Sequence, residues 1–345
     1  MLDDTLGFAL PSTLSMDRLR RGTLRHHVMA FEPTETVSLG RTGLRVTRLG
    51  FGAASIGGTF QAVDEANAAA TIRRAWDLGI RYFDTAPLYG HGASERRIGQ
   101  ALRDRPRADF IVSTKVGRLV DPGSSRTYVD FSRDGVRRSV EDSLERLGLE
   151  RIDILLIHDP DDHWKEAVGE AYPALHRLRE EKVVGAIGAG MNHSAMLTRF
   201  AREGDFDVFL VAGRYTLLDQ DALTELLPLC LERQISVVIG GVLNSGILAD
   251  PRPGSRFDYR PADPSVVERA QRLASVCASH EVPLKAVAVQ FPLAHPAVAS
   301  VLAGGRTTDQ LDEYPALMRH PVPMELWAEL RSEGLLPTAA PTPEV

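Results

Sequence analysis

Residues 81–90 read Arg81-Tyr82-Phe83-Asp84-Thr85-Ala86-Pro87-Leu88-Tyr89-Gly90. Residues 81–84 predict a short buried strand ending in a carboxylate, and the loop after it carries a phenol. In parallel α/β proteins ligands sit at the carboxyl ends of the strands, so Asp84 and Tyr89 are expected on that edge. A free phenol titrates near about 10 and needs a cationic neighbour to exchange protons near neutrality. The next apolar run, 110–115, closes on Lys115, and the one after it, 152–158, closes on His158.

Outward from this stretch the chain alternates strand and helix. Before it, residues 49–52 predict a first strand, and Asp64 opens a helix that stops at Gly79. After it, Ser94 is expected to cap a helix bearing Ile98 and Leu102. Ser132 caps another, with Val136, Val140, Leu144 and Leu147 on one face and Gly148 at its end. The run 152–158 is nearly all apolar, as befits a strand buried on both faces. A helix near 174–181, a strand at 184–188, a helix capped by Ser194 and a strand at 208–212 continue the pattern. Leu223, Leu226, Leu227, Cys230 and Leu231 share the next helix face, with Pro228 expected to kink it. Strands at 236–240 and 298–302 flank a helix marked by Val266, Ala270, Leu273, Ala274 and Cys277, and a last helix follows Thr307. Eight units without a low-complexity linker predict a (β/α)8 TIM barrel rather than a doubly wound sheet. Residues 37–46 alternate around Gly43 as an N-terminal β-hairpin able to cap the barrel floor, and a C-terminal helical extension is expected. Residues 1–35 are expected to be a disordered extension, 36–337 the single barrel domain and 338–345 a flexible tail.

Composition sets the remaining bounds. The chain has 345 residues, 43% of them hydrophobic, enough for a large core, and a net charge of −6 that disfavours nucleic acid or an anionic membrane as partner. Its two cysteines, Cys230 and Cys277, fall on apolar helix faces, as reduced core thiols do. The N-terminal stretch with Arg18, Arg20, Arg21 and Arg25 lacks the apolar core of a secretion signal, and no run approaches the roughly 20 residues of a membrane span. A cytoplasmic monomer or small homo-oligomer is expected. His91, His158 and His163 lack the spacing of a metal site, so no metal is expected.

Each polar strand-end residue taken singly has an ordinary structural reading; four on adjacent strand ends point to proton chemistry. These residues resemble a known family, the aldo-keto reductases. The matching pieces are Phe83-Asp84-Thr85-Ala86 with Tyr89-Gly90 and Ser94-Glu95, Ser113-Thr114-Lys115, and Leu155-Leu156-Ile157-His158. Residues 213–219, 241–248 and 290–296 are similar to the D-threo-aldose (L-fucose) 1-dehydrogenase subgroup, with pyridoxal 4-dehydrogenases and L-galactose dehydrogenases close by. The resemblance implies an NAD(P)-dependent oxidoreductase with Tyr89 as general acid/base. Lys115 would lower the phenol's pKa, Asp84 would hold Lys115, and His158 would orient the substrate oxygen.

No Gly-rich turn of the Rossmann type follows the first strand, so phosphate is expected on the loops after strands seven and eight, as barrels bind it. These carry Gly241, Leu243, Ser245 and Gly246, then Gly304, Gly305, Arg306 and Gln310 ahead of a helix N-terminus. The resemblance further implies that Asn192 binds the nicotinamide carboxamide and Tyr215 stacks on the ring. NADPH-using relatives carry a basic residue where Gly304 stands and an arginine where Gln310 stands. Without them a 2′-phosphate loses charge-assisted contacts, so NAD is expected, with Arg306 left to favour NADP. The expected reaction is oxidation of the C1 hydroxyl of an aldose to a lactone. Alternatives are oxidation of pyridoxal or L-galactose, NADPH-linked reduction of aldehydes or ketones, and a non-enzymatic nucleotide-sensing subunit. Polar residues expected around the mouth are His91, Arg118, Asp159, His163, Trp164 and Arg214.

Overall fold

A computed structural model describes residues 31–343 apart from 59, 60, 122, 123 and 125. Eight parallel strands close into a barrel: β3 (Leu49–Gly52), β4 (Tyr82–Asp84), β5 (Ile111–Val116), β8 (Ile152–His158), β9 (Val184–Met191), β10 (Val208–Ala212), β11 (Ser236–Gly240) and β14 (Val298–Gly304). They lie side by side in chain order, and β14 pairs with β3 to close the ring. These are the eight runs expected from the apolar pattern.

The strands between these are short and antiparallel. β1 (Thr36–Ser38) and β2 (Arg45–Thr47) form the N-terminal hairpin, and β6 (Arg118–Val120) pairs with β7 (Thr127–Val129). The β12–β13 hairpin joins Arg256–Phe257 to Arg260–Pro261. The helices are α1 (Glu65–Asp77), α2 (Ala93–Leu102), α3 (Arg133–Leu147), the single turn α4 (Trp164–Glu166), α5 (Tyr172–Glu180), α6 (Ser194–Glu203), α7 (Leu226–Glu232), α8 (Pro264–Ser279), α9 (Leu284–Gln290), α10 (Thr308–Arg319) and α11 (Met324–Ser332).

Strand side chains alternate in direction, and this sorts the core into two. Tyr82, Ile154, Leu156, Ala186, Val208, Leu210 and Val238 fill the barrel lumen, with Leu39 and Val46 of the first hairpin plugging its floor. Phe51, Phe83, Val112, Leu155, Ile157, Ile187 and Val237 point the other way, into the layer beneath the helices. The hairpin is tied down where the Gly40 N–H donates to Ser236 Oγ at 2.6 Å. Gly40 has φ +52°, and a Cβ there would lie 2.7 Å from the Gln234 carbonyl, so only glycine fits.

Several local signals behave as expected. Asp64 accepts from the Asn67 N–H and Ser132 from the Gly135 N–H, satisfying free donors at the starts of α1 and α3, and Gly148 ends α3 at φ +62°. Others differ. Ser94 does not cap α2; Gly92, at φ +80°, starts that helix, and the Ser94 hydroxyl instead bonds Thr85 Oγ1 at 2.7 Å and donates to the Ala53 carbonyl at 3.0 Å. Ser194 is the first residue of α6, its hydroxyl donating to Asp221. Pro228 sits in the first turn of α7, where its missing N–H has no helical partner to lose.

The packed unit runs past both expected limits. The expected N-terminal extension lies outside the described residues as far as residue 30. Phe31 is buried, its N–H donating to the Met318 carbonyl at 3.2 Å. At the other end Arg331 donates to the Ala340 carbonyl (3.1 Å) and to Thr342 Oγ1 (2.8 Å), holding the last described residues against α11.

Candidate active site

The same alternation that puts Tyr82 and Ser113 in the lumen puts Asp84 and Lys115 there, two residues further toward the carboxyl end. Ile154 and Leu156 likewise lead to His158. The register β4–β5–β8–β9 sets Asp84 beside Ser113, Lys115 beside Leu156, and His158 beside Gly190. The mouth of the barrel is therefore polar above an apolar lumen.

Lys115 is 1% exposed and Asp84 2%. The Lys115 ammonium donates to both Asp84 carboxylate oxygens at 2.9 Å and to the Thr85 carbonyl at 2.8 Å, using all three protons. Ser113 Oγ donates to Asp84 Oδ1 at 2.7 Å, and Tyr82 Oη lies 3.1 Å from Ser113 Oγ. A buried ion pair survives desolvation only when its remaining hydrogen-bonding capacity is met, and here it is. Neither Ser113 nor the Thr85 carbonyl figured among the expected residues, although Ser113 was readable as the inward neighbour two positions before Lys115.

Tyr89 stands over this pair, partly exposed, with the Lys115 nitrogen 4.8 Å from its ring centroid. The His158 ring meets it edge-on at 5.8 Å. Here the electrostatics depart from expectation. The Tyr89 phenol is held well above its ordinary pKa, first by burial, then by the charges of Asp84 and Asp159 and by Tyr259. Lys115, hydrogen-bonded to Asp84, does not outweigh them. His158 is pushed well below the ordinary histidine range by burial and by the cations Lys115 and Arg118, so the imidazole is neutral. Its Nδ1 is buried without a hydrogen-bond partner among the described residues.

The sequence profile of the aldo/keto reductase family matches residues 48–333. This chain is an aldo-keto reductase family oxidoreductase. It is 44% identical to a D-threo-aldose 1-dehydrogenase from a Pseudomonas species over 317 residues, covering 86% of this chain and 96% of that protein. It is 41% identical to a pyridoxal 4-dehydrogenase from Microbacterium luteolum, covering 89% and 100%. Among solved structures, an aldo-keto reductase from Bacillus halodurans in its holo form superposes with a TM-score of 0.73 at 28% identity, covering 87% of this chain and 96% of that one.

Aldo-keto reductases use nicotinamide cofactors, and the chain's glycine loops fit such a group. After β11, Gly241, Asn244, Ser245 and Gly246 all have positive φ (64°, 43°, 58° and 96°), bringing successive backbone groups to one concave turn. A Cβ on Gly246 would meet nothing within 4 Å, and one on Gly304 would meet only Ser55 Oγ at 3.9 Å, so both backbones border open space. Leu243 is partly buried beside them, and Gly305 is buried under the start of α10, which Thr307 caps. Gln310 Oε1 accepts from the Arg306 N–H at 2.9 Å, and the Arg306 guanidinium bonds Gln61. Asn192 lies one residue beyond β9, partly buried on the same rim.

Tyr215 is placed differently. It is 0% exposed, with Phe291 5.1 Å and His295 5.6 Å away, and its hydroxyl has no partner among the described residues. Its ring offers no open face on which a nicotinamide could stack. The chain turns at Gly213 (φ +71°) and tucks the tyrosine under the rim, a direction that spacing does not reveal.

The β12–β13 hairpin also reaches the site. Arg214 forks onto Asp258 (2.9 and 2.5 Å), and the Tyr259 N–H donates to Ser245 Oγ at 3.0 Å. With strands of two residues each, this element has too short a period to be legible in sequence. Among the described residues no group of three or more metal-ligating side chains converges, and no helix is long and apolar enough to cross a membrane.

Proposed function

We propose that this oxidoreductase oxidises the C1 hydroxyl of a cyclic aldose of the L-fucose or D-threo-aldose type to its lactone, with NAD as hydride acceptor. The observation that carries the reading is the Asp84–Lys115 pair, buried and fully hydrogen-bonded beneath the Tyr89 phenol and a neutral imidazole. The identity with a D-threo-aldose 1-dehydrogenase over most of both chains supports the substrate class. The bound nicotinamide supplies the site that takes the hydride. Asn192, the turn at Gly241–Gly246 and the loop carrying Gly304, Gly305, Arg306 and Gln310 would hold the dinucleotide.

The protein's part is to place the hydroxyl and remove its proton. Tyr89 and His158 flank the position where the C1 oxygen would sit, and Tyr89 is the acid/base in our reading. In oxidation it must first be deprotonated. The Lys115 ammonium, fixed by Asp84 and Thr85, then lies beside the phenolate and stabilises it. His158, being neutral, can donate to the substrate oxygen without adding charge.

One observation favours a second reading. A phenol held protonated at neutral pH is ready to donate, as NADPH-linked reduction of an aldehyde requires, and Arg306 lies near the expected 2′-phosphate position. Steady-state kinetics separate the two. L-fucose, D-arabinose, L-galactose and pyridoxal would be assayed with NAD and with NADP, and simple aldehydes with both reduced forms. We expect the highest kcat/KM for an aldose with NAD, at least tenfold above NADP. A preference for NADPH and aldehydes would replace the first reading by the second.

A further inference from the structure

Six polar residues were expected around the mouth, and the structure commits four of them. Arg118 donates to the backbone carbonyls of His158 (3.3 Å) and Asp159 (2.7 Å). Arg214 is held by Asp258. His163 packs on Phe131 at 5.5 Å, and Trp164 packs on Phe200 at 4.7 Å and carries the Arg199 guanidinium over its ring at 3.8 Å. His91 is exposed.

Asp159 is the exception. Its side chain is 30% exposed and receives no hydrogen bond from the described residues; its nearest basic atom is His158 Nε2 at 3.6 Å. Its backbone is pinned from both sides, the N–H donating to the Gly190 carbonyl at 3.1 Å and the carbonyl accepting from Arg118. Between these contacts the residue takes φ +40°, a left-handed conformation that aspartate and asparagine tolerate better than most residues. The charge of this carboxylate acts on two phenols, Tyr89 of the β4 loop and Tyr259 at the tip of the β12–β13 hairpin. The charged and titratable groups facing it are Arg118, Lys115, Asp161 and His193. Two acceptor oxygens are thus held, without a hydrogen bond from the described residues, beside the group that handles the reacting hydroxyl.

We infer that Asp159 accepts a hydrogen bond from the substrate hydroxyl on the carbon next to the one that loses hydride. The site thereby selects polyhydroxylated substrates over simple alcohols. The inference rests on the proposed oxidation at C1. An ionised carboxylate is an acceptor only, and hydrogen bonds to it are roughly twice as strong as neutral ones. The oxygens of neighbouring hydroxyls lie about one hydrogen-bond length apart, so an oxygen placed against His158 brings the next one within reach of Asp159. No substrate without that neighbouring hydroxyl can fill those acceptors, and a site built to bond a hydroxyl rejects analogues lacking it.

The test uses Asp159→Asn, which keeps the left-handed backbone and removes the charge. L-fucose is compared with tetrahydropyran-2-ol, a cyclic hemiacetal whose only hydroxyl is the anomeric one. We expect the ratio of their kcat/KM values to fall at least tenfold in the variant, through KM for L-fucose. Equal losses on both substrates would assign Asp159 to setting the phenol's proton affinity and overturn the inference, as would no loss. Binding of 1,5-anhydro-L-fucitol, which has no C1 hydroxyl to oxidise, to the full-length protein with NAD gives a readout independent of turnover. It should weaken at least tenfold in the variant, and unchanged affinity overturns the inference. If the unaltered enzyme oxidises tetrahydropyran-2-ol but not L-fucose, hydroxyl selection is wrong while the oxidoreductase reading stands. If it oxidises neither, the proposed reaction itself fails, and the binding comparison still decides the role of Asp159.

Discussion

A phenol above a lysine paired with a carboxylate is a different acid from a phenol beside a free one. Lys115 donates its three hydrogen bonds to Asp84 and Thr85, so burial and the surrounding negative charge set the proton affinity of Tyr89, and set it high. The sign of the pH dependence follows. Below a raised pKa the phenol is protonated, and each unit of rising pH increases the phenolate fraction about tenfold. His158, held low, stays neutral through this range and adds no inflection above neutrality. The kcat/KM for aldose oxidation should therefore rise steadily from about pH 7 to about pH 9, while aldehyde reduction stays flat there. A flat oxidation profile over that interval would show that the phenolate is not the proton acceptor.

Among the elements, the close fit of β9 to its neighbours makes the most direct demand. Gly188 lies in β9, and a Cβ there would come within 1.8 Å of the Val208 carbonyl and 2.8 Å of Leu156 Cδ2. The lumen is already filled, and separating β9 from β10 would break the ladder that closes the ring. Gly188→Ala should destabilise the fold by about 3 kcal/mol, at the upper end of ordinary overpacking, read as a lower urea midpoint at unchanged m-value. A midpoint equal to that of the unaltered protein would mean the barrel wall yields there. What the sequence disclosed at this scale follows the same logic. Runs such as Ile152–His158, apolar but for Asp153 near its start and His158 at its end, are legible because burial dictates nearly every position. The β12–β13 hairpin is not, since two residues per strand carry no period. Ser94 was misassigned because Gly92 reaches a left-handed conformation that starts the helix without a side-chain cap.

For the whole molecule, the barrel brings together at its mouth four polar residues spread over 74 positions, Asp84 to His158, from three adjacent strands and one loop. That convergence was readable because strand order and inward alternation are fixed once a (β/α)8 topology is assigned. Loop direction was not, which is why Tyr215 was expected against the cofactor and lies instead under Phe291 and His295. The fold fixes a donor–acceptor frame, and the proposed chemistry stands on one atom of it, the Tyr89 hydroxyl. Its most direct test is NADH formation from L-fucose by the unaltered protein and by Tyr89→Phe, with NAD affinity measured for both. Removing a general acid/base costs about 10²- to 10⁴-fold. The expected result is loss of turnover by at least that factor with NAD affinity within twofold; full turnover by Tyr89→Phe would contradict the assignment.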